Sequence, residues 1–511
     1  MISAAAVAAT VGLVAPGAAH AADPAQADPA QAGSSRAAAS DAWVGMVQRT
    51  KGAHTMNLST WVSSDGLDVF EVVVDWGDGQ SSAPGTSITD EFLDFSHRYA
   101  KVGTYKVTVT ATDLRTKTSV SKTEDVLVAG SEFTPHTPTR LLDTRDGTGT
   151  SSARPVAPYG TTRVKVGGGN GIPAGVTAVA LNLTVTDAAA DGHLIAYASG
   201  SKQPTTSNVN FAAGRSVPNL AIVPVGADGY VELANRSAGT VSLIADVTGY
   251  FAKTAASGYT PMDPVRLVDT RDGLGAARGQ VAGQSTAGVQ ISGKGGLPAQ
   301  GITAVALTVT TTGPKSAGHL TAFPSGQPAP ITSNVNFTAG QTVANSVIVP
   351  VGPNGRIDIR NGSWSPTDVI VDVTGYYSAD GKAAYLPVEP DRLLDTREYY
   401  WEVDGQDYRH VSVFKPDVQL AGAVVNATVT NTEGSGHLTV APDPNTSAQY
   451  GNSTAVRPTP PNSSNLNWTK GDTVSNLVQA STGKNDIVDF WNRGWESADL
   501  VVDLFGVYAV N

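Results

Sequence analysis

Three histidines lie in identical tripeptides, and histidine is the side chain that most often serves as a general base near neutral pH. The Gly-His-Leu tripeptides contain His193, His319 and His437. A general base also needs an orienting acid and a nucleophile within hydrogen-bond reach. The chain contains no H-E-x-x-H, G-x-S-x-G or G-x-x-x-x-G-K-[ST] motif that would supply a known arrangement. We therefore predict that each histidine begins a strand and bonds to a neighbouring loop.

The motif R-L-[LV]-D-T-R places an acid two residues before an arginine and occurs in three copies. The copies lie 126 residues apart and contain the pairs Asp143 and Arg145, Asp269 and Arg271, and Asp395 and Arg397. Each copy ends in an apolar segment that carries one acid, namely Asp246, Asp372 or Asp503. A buried acid needs a hydrogen-bonded partner, and an arginine fork provides one. We predict a structural network in which these residues tie the first strand of each copy to the last.

The same acids offer a ligand-binding alternative. Residues 143–147 and 269–273 read D-T-R-D-G, which resembles a calcium-binding turn with oxygen ligands. Acids, asparagines and histidines at one end of a sandwich would also suit a sugar. The third copy has Glu398 and Tyr399 in place of the Asp-Gly pair, which argues against a shared metal site. With 0 cysteines the chain has no disulfide and no thiolate metal site. We predict no cofactor, with calcium as the alternative.

The tryptophans are distributed unevenly along the chain. Four of the 8 lie in the last copy, near Tyr399, Tyr400 and Tyr408, and these are Trp401, Trp468, Trp491 and Trp495. Trp468 takes the repeat position of Phe211 and Phe337, so we predict that it packs in a core.

An asparagine stands 11 residues before each closing acid, in what should be a hairpin turn. These residues are Asn235, Asn361 and Asn492, and beside them lie Trp364, Trp491 and Trp495. A loop tryptophan flanked by polar residues can stack on a sugar ring while its neighbours bond the sugar hydroxyls. Our hypothesis is that these six residues contact a sugar or another partner, and the alternative is simple packing.

The elements that position these residues are predicted to be β-strands. Segments such as residues 179–185 alternate apolar and polar side chains, and Gly-rich turns follow at short intervals. Each copy has enough strands for a sandwich, which gives modules at residues 133–253, 259–379 and 385–511. They resemble the R-L-L-D-T-R repeat modules of exported actinobacterial proteins, a resemblance that implies no general activity. The linkers between them are short, and we expect four domains arranged as a rod.

The predicted domain before the repeats covers residues 43–130. It contains Asp75-Trp76-Gly77-Asp78-Gly79 and later His97-Arg98-Tyr99, followed by Gly103-Thr104-Tyr105-Lys106-Val107. These motifs resemble the PKD family, which implies an immunoglobulin-like β-sandwich used as a spacer or interaction module. The chain as a whole is therefore predicted to be all-β, a tandem of β-sandwiches.

Composition and the first residues indicate where the protein acts. Lys and Arg number 34 against 45 Asp and Glu, a net charge of -11, so nucleic acid is excluded as a partner. Residues 1–21 are small and apolar and end in Ala-His-Ala, which predicts a secretory signal peptide; residues 22–42 form a low-complexity linker. We expect a secreted protein without a membrane span, free or held non-covalently at the cell surface.

These observations favour a secreted, non-catalytic binding or adhesion protein. Its partner would be extracellular polysaccharide, cell wall or a secreted protein, and repeated sites would add avidity. One alternative is a glycoside hydrolase or esterase with its site in the third module, where Asp395, Glu402, Asp404 and His437 are the candidate acids and bases. The other is a passive spacer or accessory subunit.

Overall fold

The structure, a computed structural model, describes residues 42–52, 54–399, 401–413 and 419–510. The predicted signal peptide, the linker up to residue 41, Tyr400 and the side chain of Tyr399 lie outside the described residues. The described chain is all-β: 57% of it is strand and 2% is helix, and the strands form eight antiparallel sheets. Within these residues, no helix is long and apolar enough to cross a membrane.

Residues 42–130 form the PKD-like sandwich. Its strands are β1 (Trp43–Gly52), β2 (Thr55–Ser63), β3 (Val69–Asp75), β4 (Gly85–Ile88), β5 (Leu93–Arg98), β6 (Gly103–Asp113) and β7 (Ser119–Val128). They form sheets of order β1-β2-β5 and β4-β3-β6-β7 around a core that contains Trp76. The turn after Trp76 requires glycine, because Gly77 has a φ of 75° and an added Cβ would lie 2.5 Å from the carbonyl oxygen of Lys106.

The three repeat modules have the same eight strands in the same order. Module 1 contains β8 (Glu132–Asp143), β9 (Thr161–Lys165), β10 (Ala178–Thr186), β11 (Gly192–Ala198), β12 (Val209–Phe211), β13 (Val217–Pro224), β14 (Tyr230–Ser237) and β15 (Ser242–Ala252). Module 2 contains β16 (Gly258–Asp269), β17 (Thr286–Gln290), β18 (Ile302–Thr312), β19 (Gly318–Pro324), β20 (Val335–Phe337), β21 (Val343–Pro350), β22 (Arg356–Asn361) and β23 (Asp368–Ser378).

Module 3 repeats this order and adds two short helices. Its elements are β24 (Ala384–Asp395), α1 (Thr396–Tyr399), β25 (Tyr408–Ser412), β26 (Gln419–Thr430), β27 (Gly436–Pro442), α2 (Ser447–Gly451), β28 (Leu466–Trp468), β29 (Val474–Ser481), β30 (Ile487–Asn492) and β31 (Asp499–Val510). Helix α2 lies in the extra segment before the conserved repeat position Asn465, and a capping box between Thr446 and Gln449 starts it.

Each module is a sandwich of an inner and an outer sheet, both antiparallel. The inner sheets have the order β8-β15-β10-β13, β16-β23-β18-β21 and β24-β31-β26-β29. The outer sheets have the order β9-β14-β11-β12, β17-β22-β19-β20 and β25-β30-β27-β28. Apolar side chains between the two sheets form the core of each module, where Trp468 joins the core of module 3 as Phe211 joins that of module 1.

The three inner sheets also pack against one another, and the predicted rod is therefore wrong. Strands β13, β21 and β29 each contact the other two, which arranges the modules about an approximate threefold axis. A shared core there contains aromatic side chains from two equivalent positions of each module, Phe133, Phe251, Tyr259, Tyr377, Tyr385 and Tyr508, together with Phe505 of module 3. The second face of each inner sheet carries small side chains such as Ala178 and Ala180, and burying that face drives the modules together.

Polar contacts between the modules run in one rotational sense. In each case a strand residue of one module bonds the Ser-Asn-x-Asn segment of the next. Asn182 Nδ2 of module 1 donates to Ser333 O of module 2 (2.6 Å), Asp372 Oδ2 of module 2 accepts from Ser464 N of module 3 (3.1 Å), and Asn426 Nδ2 of module 3 donates to Ser207 O of module 1 (2.8 Å). The Ser-Asn-x-Asn segments thus contribute directly to the contacts between neighbouring modules.

A closed ring of backbone pairs surrounds the axis. Its three rungs are Phe133 with Ser257, Tyr259 with Ala383, and Tyr385 with Ser131. Ser131 precedes module 1, so the segment that leaves the PKD-like sandwich completes the ring. The PKD-like sandwich is held further by a bridge between Lys101 and Thr254. The PKD-like sandwich therefore contacts the body that the three repeat modules form and is not a separate domain ahead of it.

Three hydrogen-bonded polar side chains lie together at the aromatic core on the axis. The hydroxyls of Tyr377 and Tyr508 both donate to Oε1 of Gln479 at 2.6 Å, and the two hydroxyl oxygens are also 2.6 Å apart. Module 1 has Phe251 in place of these tyrosines, and Ile222 takes the repeat position of Gln479. Modules 2 and 3 thus share a buried hydrogen-bonded group that module 1 lacks.

Candidate binding site

The repeated acids and arginines form an internal network in every module. Arg140 donates from Nε and Nη2 to both carboxylate oxygens of Asp246, at 2.9 and 3.3 Å, and from Nη1 to Asp143 at 3.1 Å. Arg145 contacts Asp143, through Nε at 2.9 Å and Nη2 at 2.7 Å. The fork that joins the first strand to the last is therefore Arg140, and not Arg145 as the sequence suggested.

The same geometry recurs in modules 2 and 3. Arg266 and Arg392 each hold the closing acid at 2.9 Å, and Arg271 and Arg397 each hold the acid of the motif at 2.6 Å. The hydrogen-bonded Arg271 lowers the pKa of Asp269, and Arg397 does the same for Asp395. Burial raises the pKa of the closing acids Asp246, Asp372 and Asp503. These carboxylates are engaged within the module, and Asp372 also accepts the bond from module 3.

The three hairpin asparagines are buried and point inward, which corrects their expected contact with a ligand. Asn361 donates from Nδ2 to the carbonyl oxygens of Val281, Ala282 and Ser365, and it accepts from Ser363 N at 2.9 Å. Asn235 and Asn492 make equivalent bonds and are 0% and 2% exposed. Each asparagine fixes the conformation of a hairpin loop.

The tryptophans on these loops fall into two groups. Trp364 is 87% exposed and Trp495 is 84% exposed, and both stand three residues after the hairpin asparagine. Trp491 is different: it lies on β30, is 2% exposed and stacks on Tyr408 at a ring distance of 4.4 Å. The prediction that Trp491 touches a ligand therefore needs correction, because the ring already has a partner.

Each exposed tryptophan belongs to a pair of loops, which we call the aromatic loop pair. It consists of residues 282–285 and 361–365 in module 2, and of residues 404–407 and 492–496 in module 3. A Cβ added at Gly283 would lie 2.4 Å from the backbone of Trp364, and one at Gly405 would lie 2.1 Å from the Trp495 carbonyl oxygen. The two loops therefore touch through backbone, which holds the base of each tryptophan rigidly while its ring faces solvent.

Hydrogen-bonded polar side chains lie in or beside both aromatic loop pairs in the chain. In module 2, Gln284 donates to the carbonyl oxygen of Gly362 at 2.7 Å and accepts from Arg360 at 2.8 Å. In module 3, Gln406 bonds the carbonyl oxygen of Gly494 at 2.9 Å, and Ser497 donates to Glu402 at 2.7 Å. A flat apolar ring among fixed polar groups has the composition of a sugar-binding surface.

Two candidate acids of the hydrolase alternative are engaged in bonds within module 3. Asp395 is held by two arginines, and Glu402 bonds Ser497. Burial, with Arg493 and Arg266 nearby, lowers the pKa of His437 to about 4. His193 and His319 likewise begin their strands, and burial and a neighbouring arginine lower the pKa of each. No group of three or more His, Asp or Glu in the described part of the chain is placed to hold a metal ion.

A pair of buried acids in module 3 escaped the sequence analysis. Asp443 and Asp489 are 2% and 1% exposed. Asp443 accepts hydrogen bonds from Tyr450 and from Asn445, while burial, together with Asp443, raises the pKa of Asp489 to about 9. Tyr450, from α2, closes the pair from outside, and its ring stacks on His410 at 3.7 Å. Asp489 takes the repeat position of Glu232 and Asp358, whereas Asp443 takes that of Ser199 and Ser325, so that the third copy alone has an acid at both positions.

Comparison with known proteins gives likeness of fold. No protein-family model matches the sequence, and no curated protein matches it. Among solved structures, the chain is similar to the PKD domain of an M14-like peptidase from Thermoplasmatales archaeon SCGC AB-540-F20, with 25% identity over 18% of this chain and 98% of that chain at a TM-score of 0.16.

Two viral structures resemble a larger part of the chain. One is described as the triple jelly roll fold and turret assembly in an archaeal virus, with 9% identity over 75% of this chain and 90% of that chain at a TM-score of 0.15. The other is Sulfolobus Turreted Icosahedral Virus, with 9% identity over 75% of this chain and 91% of that chain at a TM-score of 0.14. These likenesses concern β-sandwich architecture alone.

Proposed function

We propose that this protein is an exported, non-catalytic binding protein that recognises extracellular polysaccharide through the aromatic loop pairs of modules 2 and 3. Export rests on the apolar first residues of the sequence. The observation that carries the binding role is the pair of tryptophans, Trp364 and Trp495, that are 87% and 84% exposed at the same repeat position. Packing does not account for rings that solvent surrounds.

A sugar suits these loops better than a protein surface does. Protein interfaces bury aromatic anchors inside a broader apolar patch, whereas the neighbours of Trp364 are Ser363 and Ser365, and those of Trp495 are Gly494 and Glu496. A single ring flanked by polar groups stacks on one face of a pyranose while the polar groups bond its hydroxyls. Polysaccharide chains, whether free or part of a cell wall, present that face repeatedly.

The non-catalytic part of the proposal is supported by the engagement of the candidate acids and bases. The motif acids and closing acids are bound by arginines in all three modules. Burial and a neighbouring arginine lower the pKa of each of the three strand-start histidines. The repeated polar residues thus account for the assembly of the modules, which leaves the exposed tryptophans for a partner.

Retention of the purified full chain on insoluble polysaccharides tests the proposal. The panel contains cellulose, chitin, insoluble xylan and isolated bacterial cell walls, and bound protein is measured by depletion. We expect retention on at least one of them, and a loss with Trp364→Ala and Trp495→Ala. Ile331→Ala is the matched control, because Ile331 is 79% exposed in module 2 and belongs to a different loop, between β19 and β20.

Three results would overturn the proposal. Retention that survives both tryptophan substitutions would remove the stacking role. Turnover of a glycoside or ester panel by the same preparation would favour the hydrolase alternative. No retention on any member of the panel would leave the spacer role as the better account.

A further inference from the structure

Module 1 has a third aromatic loop pair, which repeat comparison by sequence alone did not reveal. At the position of Trp364 and Trp495 it has Ala238. Its exposed ring is Tyr159, which lies on the opposite loop of the same pair and is 64% exposed.

Backbone geometry establishes the equivalence of Tyr159 with Gln284 and Gln406. The backbone N–H of Tyr159 donates to the carbonyl oxygen of Ser237 at 3.3 Å. The corresponding bonds run from Gln284 to Ser363 at 2.9 Å and from Gln406 to Gly494 at 3.1 Å. The φ angles of the three residues are 54°, 54° and 59°.

The residues of the two loops in a pair change together from one module to another. Where the hairpin loop has tryptophan, the facing loop has glycine and glutamine, as in Gly283 and Gln284. Where the hairpin loop has Ala238, the facing loop has Pro158 and Tyr159. The close approach of the Trp364 backbone to Gly283 explains the glycine, since any Cβ there would collide. Proline in module 1 is tolerated with a hairpin loop that has no tryptophan.

Packing does not explain Tyr159. A bulky residue at a φ of 54° is in the left-handed region, which costs conformational free energy. A tyrosine at that position gains little burial in return, because most of its ring is exposed. A ring kept in a strained and solvent-facing position fits contact with a ligand.

The surface beside Tyr159 offers polar partners for a sugar. A shallow groove of about 250 Å³ is lined by Ala157 and Gly160, which lie on either side of Tyr159 in the chain. Seven side chains with hydroxyl or guanidinium donors line it: Thr144, Thr150, Ser151, Ser152, Arg154, Thr161 and Thr162. Hydroxyl and guanidinium donors of this kind bond sugar hydroxyls and ring oxygens.

We propose that Tyr159 forms a third polysaccharide site, so that the protein binds one repeating sugar polymer at three aromatic loop pairs related by its approximate threefold axis. This inference rests on the proposed function of the tryptophan loops. Three sites on one rigid body convert weak single contacts into avidity for a polymer, because each later contact is intramolecular. Short oligosaccharides, which reach one loop pair, gain none of it.

The test uses the full chain and the polysaccharide of the panel that retains it best. We expect Tyr159→Ala to weaken retention about tenfold, the loss that one stacking contact represents. Adding it to Trp364→Ala and Trp495→Ala should abolish retention. The triple exchange Pro158→Gly, Tyr159→Gln and Ala238→Trp gives module 1 the loop pair of module 2 and should restore retention to within about twofold. Ile331→Ala is again the control, and circular dichroism verifies folding.

The outcomes separate this inference from the proposed function. Unchanged retention with Tyr159→Ala, alongside losses with the tryptophan variants, overturns the third site and leaves the tryptophan loops standing. Unchanged retention with all three aromatic substitutions overturns both. Failure of the exchange variant to regain retention, while its circular dichroism matches the parent, also overturns the third site.

Discussion

The hydrogen-bonded group at the threefold axis can be tested with a matched arrangement inside the same chain. Gln479 accepts from both Tyr377 and Tyr508 at 2.6 Å, and the side chains of all three are buried. Gln479→Ile removes the acceptor that the two hydroxyls share. One hydroxyl can then donate to the other, but the second O–H donor remains unpaired in an apolar core. An unpaired buried donor costs about 1–3 kcal/mol, and burial of isoleucine offsets about 1 kcal/mol of that. We expect a net loss of ~1–2 kcal/mol in the free energy of unfolding.

Two further variants complete the cycle. Tyr377→Phe and Tyr508→Phe together with Gln479→Ile give modules 2 and 3 the apolar chemistry of Phe251 and Ile222 in module 1. This triple variant should recover stability to within about 1 kcal/mol of the parent, because no polar group is then left unpaired. Urea unfolding followed by tryptophan fluorescence, with the m-value held in common, measures each difference. Additive effects across the cycle would refute the shared hydrogen bonding, since they would show no coupling between the three side chains.

Three other outcomes concern the acid pair, the arginine network and the ring. Unfolded aspartate has a pKa of about 3.9, and burial, with Asp443, raises the pKa of folded Asp489 to about 9. The contribution of Asp489 to the free energy of unfolding should therefore be fully present below pH ~4 and fall by up to ~1.4 kcal/mol per pH unit toward pH 9. Asp489→Asn should flatten that slope in urea unfolding at pH 5 and pH 8, and an unchanged slope would contradict it. Arg266→Met leaves two buried acids without this arginine and should cost about 3–5 kcal/mol in the free energy of unfolding. Arg271→Met should cost less than half as much, because the Arg271 side chain is 46% exposed. Equal shifts in Tm would argue against the shared fork. A fragment beginning at residue 133 lacks one rung of the ring and should melt below one beginning at residue 129; equal melting would deny the ring a role in stability.

The sandwich fold was predictable from the alternation of side chains, but the packing of the modules was not. In the segment from residue 179 to 185, the alternate positions hold Ala180, Asn182 and Thr184, a composition that suits a face toward water. The structure buries all three, at 0%, 2% and 2% exposure. Small residues let neighbouring sheets approach, and Asn182 bonds the next module, so an interface of this kind has the composition of a solvated face.

The site was predictable only where its chemistry stays at one repeat position. Trp364 and Trp495 both follow the hairpin asparagine by three residues, and the sequence pattern identified them. Tyr159 lies on the other loop, far from Ala238 in the chain, and only the fold brings the two positions together. Arg140 was missed as the partner of Asp246 because adjacency in the motif favoured Arg145, whereas the pairing of β8 with β15 places Arg140 opposite the acid.

The ring around the axis also has a consequence for folding during synthesis. Its last rung joins Ser131 to Tyr385, so the inner sheet of module 1 is fully covered only after module 3 has left the ribosome. Pairing across such a separation is slow and leaves apolar surface exposed meanwhile. Once the third module is made, however, closure is intramolecular and independent of concentration, which a trimer of separate chains would not achieve.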